Sequence, residues 1–142
     1  MDVMYSMVYK NLADIVKVVD SFEDASIARE AWGHAEHMIV ALHYLSSHDK
    51  VTATTKMRDG IMNLLVKGFN VDLSKEMPYH ETITIFWMRT VDEFMRSKSG
   101  SSTVDIANEM ISKFGKDHPL KFYSRELLFS DEARAGFVEA DL

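Results

Sequence analysis

PYHETITIFWMRTVDEFMR, Pro78 to Arg96, decides the fold class. Its apolar residues Ile83, Trp87, Val91 and Phe94 recur at three and four, which is the period of one helix face. Pro78 suits a helix first turn, so the spacing predicts a helix from about Pro78 to Arg96. The same period runs along the rest of the chain. Met4, Val8, Leu12, Ile15, Val16 and Val19 predict a first helix ending near Phe22. Ile39, Val40, Leu42 and Leu45 predict a second from about Trp32 to Ser47. Met57, Ile61, Leu64 and Leu65 predict a third from about Val51 to Lys67, stopped by Gly68 and Asn70. A fifth spans about Thr103 to Phe114, capped by Ser102 or Thr103 and stopped by Gly115. SKSGSS, Ser97 to Ser102, joins the fourth and fifth. The tail HPLKFYSRELLFSDEARAGFVEADL suggests two shorter helices, the second capped by Ser130.

Connections this short make sequential helices antiparallel neighbours. The expected fold is therefore all-α: a single domain over residues 1–142, with four to five main helices plus short C-terminal ones. The chain has 142 residues, 6 glycines and only 2 prolines, which favours helices over a turn-rich β architecture. It is long enough to fold without staples.

Composition narrows the function. The chain has no cysteine, which excludes disulfides and thiolate metal sites. A net charge of -6 with scattered Lys and Arg argues against nucleic acid. MDVMYSMVYKNLADIVKVVD does not read as a signal peptide, and no apolar run is long enough to span a membrane. The cytoplasm is the expected compartment.

Two short segments carry the chemistry. WGHAEH (Trp32–His37) places His34 and His37 three residues apart, on neighbouring positions of one helix face. Ala41 and Tyr44 continue that face. PYHETIT (Pro78–Thr84) places His80 beside Glu81, with Thr84 one turn on. The second and fourth helices should run parallel, each with its pair near its N-terminus. If both faces point inward, three imidazoles and a carboxylate converge at one end of the bundle. Such ligands suit Zn, Fe, Mn, Ni or Cu. His34, His37 and His80 would hold the metal, and Glu81 would be a fourth ligand or a general base. Tyr44, Tyr79 and Thr84 would orient ligands or substrate. Parallel helix N-termini also favour an anionic small molecule there. The plainer reading makes HxxH a half-exposed polar patch and His80 a hydrogen-bonding residue between helices. His43, His48 and His118 read as surface histidines.

Other candidates carry less. No Gly-rich phosphate loop, GxSxG elbow or nucleotide fingerprint is present. Arg125 and Arg134 read as surface ion-pair residues, Trp32 and Trp87 as core or lid residues, and the ten methionines as core fillers.

WGHAEH, YHETIT and YSRELLFSDEAR together resemble a family of small bacterial proteins without an established activity. Its members carry W-T-H-x-x-H-L, R-x-G-I, Y-H-E-T-I-T and S-x-E-A-R followed by P-D-L. Trp32, His34 and His37 match the first motif, with Gly33 for threonine and Met38 for leucine. Arg58, Gly60 and Ile61 match the second, and Tyr79 to Thr84 match the third in full. Ser130, Glu132, Ala133 and Arg134 match the fourth, with Ala140 where the family has proline. The resemblance spans about Phe22 to the C-terminus. It implies that the histidine motifs travel together and supplies no reaction. The architecture is also similar to DinB-like bundles, which hold a divalent metal by three histidines at a different spacing.

Two function classes follow. One is a small-ligand binder or metal-dependent enzyme with its site in the bundle core. The other is a non-catalytic bundle that forms a homodimer or binds a partner, for example through its first helix, with structural histidines.

Overall fold

The computed structural model describes residues 8–142, and Met4 of the expected first helix lies outside them. Among the described residues the main helices are α1 (Leu12–Glu23), α2 (His34–Ser47), α3 (Lys50–Asn63), α4 (Glu81–Ser97) and α5 (Thr103–Lys113). Two short ones follow, α6 (Arg125–Leu128) and α7 (Asp131–Ala135). No strand occurs among the described residues. The fold is the expected all-α bundle.

Side-chain caps fix most helix starts. Asn11 accepts from the Asp14 N–H, Asp49 from Thr52, Ser102 from Asp105, Ser124 from Leu127 and Ser130 from Ala133. Each satisfies a donor that the first turn leaves without an intrahelical partner. Two starts differ from expectation. α2 begins at His34, after a 3-10 turn over Arg29–Ala31, with the Glu36 carboxylate accepting from the Gly33 N–H. α4 begins at Glu81, because His80 is its capping residue: the backbone there is extended, and Nδ1 accepts from the Ile83 N–H at 3.2 Å. Pro78 therefore precedes the helix. α3 ends in a π-helical turn, Leu64–Gly68, and Asn70 turns the chain at φ 57°. That is the stop expected from Gly68 and Asn70.

α2 is buried nearly all round: Met38, Ile39, Val40, Ala41, Leu42, Tyr44 and Leu45 are all inside. A helix apolar on every side belongs in the centre of a bundle. Accordingly it packs against α1, α3, α4 and α5. α2 and α4 run parallel, as short loops require. His34 lies against Trp87 at 4.6 Å between ring centroids, and Ser46 at the far end of α2 reaches Met95 Sδ at 3.6 Å. Met38, Met57, Met88 and Met110 fill the core among Phe22, Leu42, Leu64 and Val91. α1 and α3 approach closely at Gly60, where a Cβ would collide with the Phe22 ring.

Polar bonds tie down the chain on both flanks of the bundle. Buried Asn108 accepts from the Tyr9 N–H at 3.0 Å and donates to the Tyr9 carbonyl at 2.8 Å, which pins the segment before α1 to α5. The C-terminal stretch after α7 folds back over α4. Thr82 Oγ1 donates to the Gly136 carbonyl at 3.0 Å and accepts from the Val138 N–H at 3.1 Å. Tyr123 Oη donates to the Val138 carbonyl at 2.6 Å, and the Asp141 carboxylate accepts from both the Ser124 N–H and hydroxyl at 2.7 Å.

Candidate functional site

The side chains of Tyr79–Thr84 are engaged in joining elements. His80 is buried. With Nδ1 occupied as the α4 cap, its Nε2–H donates to the Leu128 carbonyl of α6 at 2.6 Å. This pairing assigns the tautomer, and burial holds the ring below the ordinary histidine pKa. Glu81 takes a two-pronged bond from Arg58: Nε to Oε1 at 3.0 Å and Nη2 to Oε2 at 2.7 Å. Tyr79 Oη also donates to Oε1, at 2.5 Å. The Arg58 hydrogen bonds keep the Glu81 carboxyl below the usual carboxylate range. Burial, then Glu81, push the Tyr79 phenol up to about 12. Thr84 Oγ1 donates back to the His80 carbonyl at 3.0 Å. Tyr44 Oη donates to Glu23 at 2.6 Å, on the α1 side of the bundle.

The two histidines of α2 part company. His34 Nε2 bonds the Phe114 carbonyl at 2.9 Å, at the end of α5. His37 turns toward Trp32, 5.7 Å between centroids, and Trp32 stacks on Phe22 at 4.9 Å. The His37 Nε2 is sealed from solvent and has no hydrogen-bond partner among the described residues. Burial first, then His34, lower its pKa to about 4.

His80 does not join this pair. Trp87, the residue level with His34, lies two turns beyond His80, roughly 10 Å along the axis at about 1.5 Å per residue. Short loops make α2 and α4 parallel but leave their stagger free, and this stagger separates the motifs. Among the described residues, no group of three or more histidine and acidic side chains is placed to hold a metal ion. The geometry of the described residues does not gather His34, His37, His80 and Glu81 into one metal-ligating group, and Tyr79 and Thr84 bond to Glu81 and to the His80 carbonyl instead.

An open cavity of about 440 Å³ lies elsewhere, between α4, the end of α5 and the folded-back C-terminal stretch. Its rings come from separate parts of the chain: Phe86 and Phe94 from α4, Phe114 from the end of α5, and Phe122, Tyr123 and Phe137 from the tail. Phe86 meets Phe122 at 5.7 Å and Tyr123 at 6.2 Å, edge or tilted, as aromatic quadrupoles prefer. His118 lies within this cluster, 4.8 Å from Phe114 and 5.4 Å from Phe122. Burial, then Lys121, lower its pKa. Arg89, Glu93 and Glu139 supply charge.

The histidine segments frame this cavity from behind. His34 packs on Trp87, which is edge-on to Phe86 and Phe114. His80 and Thr82 fasten α6 and residues 136–138, and so position Phe137. Sequence reading puts His118 on the surface and passes over Phe86, Arg89 and Phe122. The available signal is the spacing Phe86–Thr90–Phe94, a stripe on α4 that shares Phe94 with the core stripe and meets the aromatic run of HPLKFY at Phe86.

Fold and site together define an all-α bundle with an open aromatic pocket walled on one side by its C-terminal stretch. No protein family, no curated protein and no solved structure matches the chain.

Proposed function

We propose that the protein is a non-catalytic binder of a small, flat, largely apolar molecule, held in the aromatic pocket. The observation that carries this reading is a cavity of about 440 Å³ walled by rings from α4, α5 and the tail, with a few charged groups among them. Ligand pockets have this size and this mixture of apolar walls with sparse polar groups. In this reading His34, His80 and Thr82 are frame residues that hold the walls in place. Two hydroxyls at the pocket are spent on backbone carbonyls, Ser97 on Phe94 and Tyr123 on Val138, which favours binding over catalysis.

Ligand-observed NMR with a set of planar bicyclic fragments tests the reading. Binders should be found, and Thr90→Trp, which fills the cavity from α4, should abolish them. Tyr44→Phe, on the α1 side, should leave them unchanged. A protein that binds none of the fragments, or a Thr90→Trp variant that binds them as well as the parent chain, contradicts the reading.

A second reading keeps a divalent metal (Zn, Fe, Mn or Ni) at the α2 histidines. One observation favours it, the buried His37 Nε2, which has no partner among the described residues. It requires His34 to give up the Phe114 carbonyl.

A further inference from the structure

Charges around the pocket mouth discriminate among ligands. Resting on the ligand-binding reading, we propose that the pocket takes a planar aromatic carboxylate, its ring among Phe86, Phe114 and Phe122 and its carboxylate on Arg89.

Arg89 is held in place and weakly engaged. Its guanidinium carbon lies 4.4 Å from the Phe137 ring centroid, a stacked position on the cavity wall. Its one carboxylate partner among the described residues is Glu139, at 4.0 Å, with a side chain 83% exposed. An ion pair that long and that wet contributes little, so the fork is available. A guanidinium matches a carboxylate with two parallel N–H···O bonds. Positive charge also gathers on the α5 side. The Lys113 ammonium lies 5.5 Å from the Phe94 centroid and 5.6 Å from that of Phe114. Lys121 and Lys113 both act on His118.

The same rings disfavour a cationic ligand. Aromatic faces attract cations, but the chain's own cations already lie against three of these rings, Phe94, Phe114 and Phe137. Lys98 and Lys113 sit over Phe94, Lys113 over Phe114 and Arg89 over Phe137. Of these cations Arg89 lines the cavity itself, and an ammonium ligand beside Phe137 meets it. Glu93 and Glu139 oppose an anion, but both are exposed, where water and salt screen them.

The test uses the full chain and three probes of one ring system: 2-naphthoate, 2-naphthalenemethanol and 2-naphthylmethylammonium. Titration calorimetry at pH 7 should rank the acid first, about tenfold tighter than the alcohol, the scale of one charge-assisted fork. The ammonium should be weakest. Arg89→Ala should erase the preference of acid over alcohol, read as the ratio of the two affinities in the same variant. Glu139→Gln should tighten the acid about two- to threefold by freeing Arg89. Both positions are exposed, and circular dichroism checks that the variants keep their fold. Alcohol or ammonium binding as tightly as the acid overturns the charge assignment and leaves the pocket reading standing. So does a preference that survives Arg89→Ala. Failure of all three probes to bind overturns both.

Discussion

Arg58 on α3 and Glu81 at the first turn of α4 form a two-pronged ion pair, with bonds of 3.0 and 2.7 Å. Tyr79 closes the network from the connecting loop at 2.5 Å. Two segments far apart in the chain, MRDGI and YHETIT, are joined here by chemistry that the linear sequence does not display.

Removing one partner should cost more than removing both. Glu81→Gln leaves the half-buried Arg58 without its counter-charge and Tyr79 without a charged acceptor. The expected loss is about 1–2 kcal/mol, the lower part of the range for an unsatisfied buried donor, because the Arg58 side chain is 37% exposed. Arg58→Met with Glu81→Gln should recover part of it. Urea denaturation of the two single variants and the double variant checks this. Strict additivity would show that the pair is not coupled.

His80 should behave as a frame residue. His80→Asn keeps an acceptor for the α4 cap and loses the Leu128 bond, whereas His80→Ala loses both. Alanine should therefore cost about 1 kcal/mol more than asparagine, and both should speed amide exchange in α6. Elemental analysis of untagged protein, run alongside, separates the readings. Stoichiometric metal that disappears in His80→Ala would contradict the frame role.

The chain should lose stability in mild acid through His37. Its folded pKa is lowered to about 4, while an unfolded histidine titrates near about 6.5. Between these values the unfolded chain binds more protons, so stability falls as pH falls from about 6.5 toward 4 and is complete above that window. His80 and His118, also lowered, act in the same direction, so His37→Leu should reduce the slope of the thermal midpoint across this window without abolishing it. An unchanged slope in the variant would show that the ring is not kept neutral by burial.

The fold is legible in the sequence because periodicity, caps and stops agree. Stripes such as Ile83–Trp87–Val91–Phe94 set the buried faces, Ser102 and Ser130 cap where expected, and Gly68 with Asn70 ends α3. The site is less legible, for three physical reasons. Spacing gives the face of a helix but not its axial offset, so the parallel α2 and α4 read as level when they are staggered by two turns. A capping imidazole at His80 looks in sequence like a ligand one residue inside a helix. The pocket depends on bonds such as Thr82 to Gly136 and His80 to Leu128, whose partners are far apart in the chain and carry no local signature.

The central claim is that the aromatic pocket, not the histidine pair, receives the ligand. Chemical-shift mapping with 2-naphthoate on the isotope-labelled chain tests it most directly. Saturable shifts should cluster at Thr90, Ser97, His118, Phe122 and Ala140, and Glu23, Tyr44 and Arg58 should stay still. Shifts that gather at His37 and Trp32 while Thr90 and Phe122 do not move would contradict the account.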